Sequence, residues 1–336
     1  MDSTRGPSRS AALPAPVQPQ GVRSGSLFSI AMRPSSLSAA RARWCHWVLA
    51  SRPKTLPAAI APVLAGTAVA IHEDGFHPQT ASLALITALL LQIAANFAND
   101  ALDFRRGADT RQRVGPARVT ASGLIDADDV LRATALTLAL ATLTGLFLVL
   151  RGGWPLAVLG IAALICAVAY TGGPFPLGYL GLGEVFVFLF FGPVAVAGTA
   201  YVQTLDVTWL ALATAVPLGA LATGILVVNN LRDLRTDALA NKRTIAVRIG
   251  DRSTRLEYGL LLLVALVAPP LFWFAGWLNW WWVLTLAWWP IANRLWMQIT
   301  TRTGPALNRT LADTGRGLLL YSILLSLALI LTGRWP

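Results

Sequence analysis

Charge is the scarcest material in this chain: 13% of its residues are Asp, Glu, Lys or Arg, about half the share of an ordinary globular domain. The hydrophobic share is 55% and the mean hydropathy +0.59. A chain so poor in charge cannot cover a water-facing globular surface, so its solvent is lipid. The apolar-polar alternation of a membrane barrel is missing too. Instead, uncharged runs reach the length of about 20 residues that a helix needs to cross the hydrocarbon core. Cysteine is rare: Cys45 and Cys166 lie far apart without CxxC spacing, which argues against a disulfide framework and a thiolate metal site. His46, His72 and His77 have no ligand partners at metal spacing, which argues against structural zinc. With 16 acids against 27 bases, the places where acids gather carry information.

Two stretches gather them. The first is Asn99-Asp100-Ala101-Leu102-Asp103, at the end of an apolar run, and the second, Asn229-Asn230-Leu231-Arg232-Asp233-Leu234-Arg235-Thr236-Asp237, repeats the arrangement far downstream. On a helix, Asn96, Asp100 and Asp103 fall at i, i+4 and i+7, and Asn229, Asp233 and Asp237 at i, i+4 and i+8, so each set lines one face. An ionisable residue at membrane depth costs roughly 2.5 to 3.5 kcal/mol on insertion scales, so such groups face a polar cavity and mark function. Salt-bridged, solvated acids are the competing reading. It is adopted for Asp126, Asp128, Asp129 and Asp251, the first three as helix caps, and is the weaker one for the two clusters because of their depth.

Around these clusters the sequence predicts an all-α integral membrane protein, a bundle of nine transmembrane helices at 47–71, 80–101, 130–150, 154–171, 181–202, 208–230, 256–275, 277–298 and 316–333. Residues 1–43 differ in kind, being rich in Ser, Pro, Arg and Ala with Asp2 as the sole acid, and are expected to be a disordered tail preceding a transmembrane domain at 44–336. Such composition also resembles an organellar transit peptide but without a clear amphipathic period, and Met32 is an alternative start. Counting Lys and Arg near helix ends orients the bundle. With the N-terminus cytoplasmic, all of the 27 basic residues except Arg151 and Arg334 fall inside, and both acidic stretches open to the cytoplasm. The net charge of +11 is then a matter of topology, and no nucleic-acid partner is expected. Trp273, Trp277, Trp280, Trp281, Trp282, Trp288 and Trp289 suit an interfacial aromatic belt rather than a substrate cage.

Two carboxylate faces at one mouth, surrounded by bases, repel a lone anion but suit a diphosphate held through Mg²⁺, which prefers oxygen ligands and binds a few carboxylates together with substrate phosphates. Metal and bases together stabilise charge on a departing diphosphate, and an apolar tunnel suits the hydrocarbon of the same substrate. The residues thus point to an enzyme acting on a lipid diphosphate. A transporter would favour broken helices near the midplane. A CDP-alcohol phosphatidyltransferase would carry one compact acidic run, which is missing here.

Asn99-Asp100-x-x-Asp103 and Asp233-x-x-x-Asp237 resemble the two Asp-rich motifs of the UbiA-type intramembrane prenyltransferases, with the similarity running over about 44–334. Within that superfamily the chain most resembles the naphthoate-prenylating branch, often called the MenA family. The segments that carry this are Arg52-Pro53-Lys54-Thr55-Leu56-Pro57, Arg113-Val114-Gly115-Pro116-Ala117-Arg118, Tyr170-Thr171-Gly172-Gly173-Pro174, and Asn241-Lys242-Arg243-Thr244 before Ala246-Val247-Arg248-Ile249-Gly250. The resemblance implies that Asp100, Asp103, Asp233 and Asp237 hold Mg²⁺ on a polyprenyl diphosphate, supported by Asn96, Asn99 and Asn230. It nominates Arg52, Lys54, Arg113, Arg118, Lys242 and Arg243 for diphosphate contacts and Tyr170 as a site residue. Asp109 stands at a wider spacing than the superfamily's third acid. The Tyr-x-x-x-Lys element of many members is replaced here by Tyr170-Thr-Gly-Gly-Pro, so another cation must do that lysine's work. The implied reaction is prenylation of an aromatic acid at the cytoplasmic face of a bacterial inner membrane. The acceptor expected is 1,4-dihydroxy-2-naphthoate, with 4-hydroxybenzoate as the alternative.

Overall fold

The computed structural model describes residues 44–107, 114–116 and 118–334, and every regular element among them is helical. The expected tail at 1–43 lies outside the described residues. We label the helices α1 Pro57–His72, α2 Pro78–Arg105, α3 Ala127–Gly152, α4 Trp154–Ala169, α5 Gly183–Thr204, α6 Trp209–Leu239, α7 Ile245–Phe274, α8 Trp289–Thr301 and α9 Leu307–Arg334. A short helix at 44–50 leads through a 3-10 turn, Pro53–Thr55, into α1, with a bend of 54°.

The helices begin where the sequence supplies caps. The side chains of His77, Asp126, Thr208 and Thr244 accept the backbone N–H of Thr80, Asp128, Ala211 and Val247, satisfying donors at the starts of α2, α3, α6 and α7. Asp126 thus caps as expected. Asp128 and Asp129 sit in the first turn of α3, where they pair with Arg105 and Arg132, and Asp251 pairs with Arg255 one turn on.

Among the described residues six helices are long and apolar enough to cross a membrane, or seven if the bent pair at 44–72 is one span. The expected count was nine. The difference lies in α4 and α8: 16 residues of α4 span only about 24 Å at 1.5 Å per residue, short of a core of about 30 Å. The eighth run divides into a 3-10 segment, Trp280–Trp288, and the 13 residues of α8. The chain is therefore an integral, multi-pass, all-α membrane protein.

Helix α6 is the axis, with 78% of its apolar window buried, and α1, α5, α7 and α9 pack around it. Close approach depends on small residues. A Cβ on Gly66 of α1 would lie 2.3 Å from the Val196 carbonyl oxygen of α5, and one on Gly192 of α5 would lie 2.8 Å from the Ala215 carbonyl oxygen of α6. Within α5, residues Phe190–Ala197 wind as a π-turn around Pro193, a local widening that re-aims side chains. A second, smaller core, made of Ala50, Phe97, Ala101, Val119 and Val130, lies against the end of α2 and anchors the loop that follows it. Among the tryptophans, Trp280 and Trp289 are exposed, as a belt requires. Trp288 is instead fully buried, its indole N–H donating to the Gly317 carbonyl at 2.8 Å.

Candidate active site

Both acidic stretches lie inside helices, near the ends of α2 and α6. Between them runs a cavity of about 570 Å³. Its polar mouth is lined by Arg52, Asn96, Asn99, Asp103, Arg118, Tyr170, Asn229, Asn230 and Lys242, and it continues as an apolar channel past Leu91, Val149, Phe186, Phe190, Phe191 and Val194. The π-turn of α5 supplies much of that channel wall. Leu146 and Ile161, also in the lining, are more than half exposed, so the channel reaches the lipid-facing surface between α3 and α4.

The face that α2 turns to the cavity is Asn96, Asn99 and Asp103, spaced i, i+3 and i+7. Asp100, expected on that face, points the other way. Its carboxylate accepts the backbone N–H of Val119 at 3.3 Å and of Thr120 at 3.1 Å, and also the Thr120 hydroxyl. Asp100 therefore clamps the loop after α2. That clamp sets Arg118, which donates from Nη2 to Asp103 Oδ2 at 2.6 Å and from Nη1 to the Asn99 carbonyl, with both side chains of the ion pair buried. The other Asp103 oxygen accepts from the Tyr179 hydroxyl at 2.9 Å.

On α6, Ala222, Ile225, Leu226, Asn229 and Asn230 line the cavity at helical spacing. Asp233 lies beyond them in a bidentate pair with Arg232, at 2.8 and 2.5 Å. Asp237, one turn later, is buried, and its Oδ2 has no hydrogen-bond partner among the described residues. The helix ends with paired bonds that explain Lys242: the N–H of Asn241 reaches the Ala238 carbonyl and the N–H of Lys242 the Asp237 carbonyl at 2.9 Å, with Asn241 left-handed at φ 54°. This is a Schellman closure, with asparagine at the left-handed position that glycine usually takes. It folds the chain back so that Lys242 Nζ stands 3.6 Å from Asp237 Oδ1 and 5.5 Å from the centre of the Tyr179 ring. Arg106 stands over the same ring at 5.4 Å. Lys242 is thus a cation of the mouth, held between Asp237 and the Tyr179 ring. Arg52 enters the lining from a left-handed backbone, φ 51° before Pro53, a conformation that costs energy in a non-glycine residue and is typical of functional positions.

Other expected residues are elsewhere. Lys54 and Arg243 are exposed and outside the lining, and Arg243 contributes its backbone N–H to the Tyr179 carbonyl at 3.0 Å. Arg113 and Asp109 fall outside the described residues. Sequence reasoning overlooked Tyr179 and Thr171, whose hydroxyl meets Asn99 Oδ1 at 2.9 Å, and Glu184, buried at the start of α5 with Oε1 accepting from Asn230 at 2.7 Å. A signal existed for Glu184, the sole acid in its apolar run. For Tyr179, burial and the neighbouring Asp103 carboxylate push the hydroxyl upward from the ordinary tyrosine range.

Among the described residues no three His, Cys, Asp or Glu side chains are grouped to hold a metal by themselves. The donor set nevertheless fits Mg²⁺: Asp103 and the amide side chains line the mouth, and Asp237, outside the lining but paired with Lys242, has a buried oxygen without a partner among the described residues and feels the charges of Asp103 and Asp233. Mg²⁺ needs few protein ligands when phosphates and water complete its shell.

Residues 59–330 match the UbiA prenyltransferase family. The chain is 50% identical over 224 residues to a Mycobacterium tuberculosis protein described as 1,4-dihydroxy-2-naphthoate octaprenyltransferase, covering 67% of this chain and 76% of that one. It is 41% identical over 292 residues to a Mycobacterium leprae protein of the same description, covering 87% and 98%. The fold matches a UbiA homolog from Archaeoglobus fulgidus solved bound to GPP and Mg²⁺, with a TM-score of 0.56 at 16% identity, covering 85% of this chain and 99% of that one.

Proposed function

The chain belongs to the UbiA prenyltransferase family, and we propose that it transfers a polyprenyl group from polyprenyl diphosphate to 1,4-dihydroxy-2-naphthoate with loss of CO₂, giving demethylmenaquinol in menaquinone synthesis. Relatives at 41–50% identity bear the naphthoate description. The observation that carries the reading is the continuity of a cationic, amide-lined mouth with an apolar channel in one cavity. A prenyl diphosphate has that same division of chemistry.

Arg52, Arg118 and Lys242 meet the diphosphate, and the channel walls of α3 to α5 take the prenyl chain. Asp103 and Asp237, with amide oxygens of the mouth, would hold Mg²⁺. Asp100 and Asp233 belong to the same acidic set, and in this arrangement they hold the 118–120 loop and Arg232 in place. Mg²⁺, when bound, neutralises charge that builds on the departing diphosphate. The C–O bond of the donor breaks with its electron pair leaving on diphosphate, and the apolar walls shield the allylic cation from water. The ring carbon bearing the carboxylate attacks, forming the new C–C bond. Loss of CO₂ then returns its bonding pair to the ring and restores aromaticity. Tyr170, at the mouth between α4 and α5, bounds the acceptor side. We further assign nine crossings, the short α4 accommodated by local thinning of the bilayer and α8 completed by the Trp280–Trp288 segment that leads into it, with the N-terminus and the mouth cytoplasmic in a bacterial inner membrane, and residues 1–43 as a tail outside the 44–336 catalytic domain.

The test is carboxyl-labelled naphthoate incubated with purified protein, Mg²⁺ and a polyprenyl diphosphate. One labelled CO₂ is expected for each prenyl group added. Label retained in a prenylated acid, or turnover only with 4-hydroxybenzoate, would place the chain in another branch of the family.

A further inference from the structure

Four asparagines line the mouth, and an amide side chain presents either a donor or an acceptor depending on which end is held from behind. Partners of fixed character settle three of them. Asn96 donates its Nδ2 to the Ser51 carbonyl at 2.9 Å, which can only accept, so Oδ1 is the free end. Asn229 accepts at Oδ1 from the Arg232 guanidinium at 2.8 Å, which can only donate, so Nδ2 is free. Asn230 donates Nδ2 to Glu184 Oε1 at 2.7 Å. Among the described residues no donor approaches Asn230 Oδ1. Glu184 is itself 5% exposed and outside the cavity lining, directly behind Asn230.

We propose that Glu184 is a positioning residue for cation binding: by taking the Asn230 amide nitrogen it turns Oδ1 of Asn230 into the mouth as an oxygen ligand. This rests on the reading of the mouth as a divalent-cation and diphosphate site. Without the carboxylate the amide rotates freely or presents its N–H₂, which repels a cation. Burying a carboxylate within a crossing is costly, and Oε2 of Glu184 has no partner among the described residues. The neighbouring Asn229, held in the opposite sense, presents a donor suited to phosphate oxygen. One turn of α6 thus carries an adjacent acceptor and donor for the two halves of a cation–diphosphate pair.

The experiment uses the full chain in lipid nanodiscs, with Mn²⁺ as paramagnetic probe and geranyl thiolodiphosphate as unreactive donor analogue. Glu184→Ala should weaken Mn²⁺ binding roughly 10- to 100-fold, the range for losing a group that orients a metal ligand. Asn230→Ala should do the same, and the double variant should be no weaker than either. Glu184→Gln keeps a carbonyl to accept the amide nitrogen and should recover most of the affinity. Wild-type affinity in Glu184→Ala, additive losses in the double variant, or Glu184→Gln as weak as Glu184→Ala would each overturn the proposal. If Glu184→Ala does not fold, wild-type affinity in Asn230→Ala overturns it alone. Failure of the wild-type protein to bind Mn²⁺ with the analogue would overturn the underlying reading instead, and the proposal with it.

Discussion

The four acids of the two stretches have different neighbours, and their variants should separate accordingly. Asp237 keeps a bare, buried oxygen, so Asp237→Ala removes a desolvated charge and breaks only a 3.6 Å pair with Lys242. We expect it to lower kcat by about 10²–10³, the scale of losing one preorganised electrostatic group, with thermal stability in detergent held or raised. Asp100→Ala should lose both activity and stability. It orphans the buried N–H groups of Val119 and Thr120, at a cost of roughly 1–3 kcal/mol for each unsatisfied donor. Equal melting temperatures for the two variants would contradict this division. Tyr179 gives a pH prediction. Its hydroxyl is pushed up by burial and by Asp103, so the folded state holds the proton more tightly than the unfolded chain. The stability from this group is therefore complete below the ordinary tyrosine value of about 10 and lost only above it. The wild-type rate profile should show no limb from Tyr179 between pH 6 and about 9.5, whereas Tyr179→Phe should lower activity evenly across that range.

At the scale of the element, the site depends on how helices end. The Schellman closure of α6 requires a residue that tolerates φ 54° at Asn241, and it alone brings Lys242 back over Asp237 and Tyr179. Asn241→Gly should therefore be tolerated. Asn241→Val, β-branched at a left-handed position, costs about 1–2 kcal/mol of local strain and should swing Lys242 away. The expected reading is a raised KM for prenyl diphosphate with an unchanged KM for the acceptor. If both KM values rise together, the loop's role is general folding rather than delivery of this cation. The π-turn of α5 acts likewise through shape: it turns Phe190, Phe191 and Val194 into the channel.

At the scale of the whole molecule, the crossings and the tail can each be tested directly. Single cysteines at Phe175, exposed beside the mouth, and at Trp209, exposed at the start of α6, should label from opposite sides of sealed inverted vesicles once Cys45 and Cys166 are replaced. Labelling from the same side would refute the assigned orientation. A protein beginning at Met32 should insert and turn over at the full-length rate, since every residue of the mouth lies beyond it; a large loss at matched expression would give the tail a role.

The sequence by itself determined the solvent, the helical class, the two acidic stretches and the chemistry they suit, because these follow from local composition and from period along one chain. Asn96 and Asp103 could be nominated that way, whereas Asn99, Arg118 and Lys242 were nominated through the family resemblance. What only the tertiary structure decided are pairings across long separations, which no local period encodes. Asp100 turns from the cavity because backbone donors some 20 residues on need its carboxylate. Asn230 presents its oxygen because Glu184, 46 residues earlier, holds its nitrogen. The length of α4 was legible only in part: an apolar run continues to Thr171, but the chain must turn at Tyr170 to bring Tyr179 back onto Asp103.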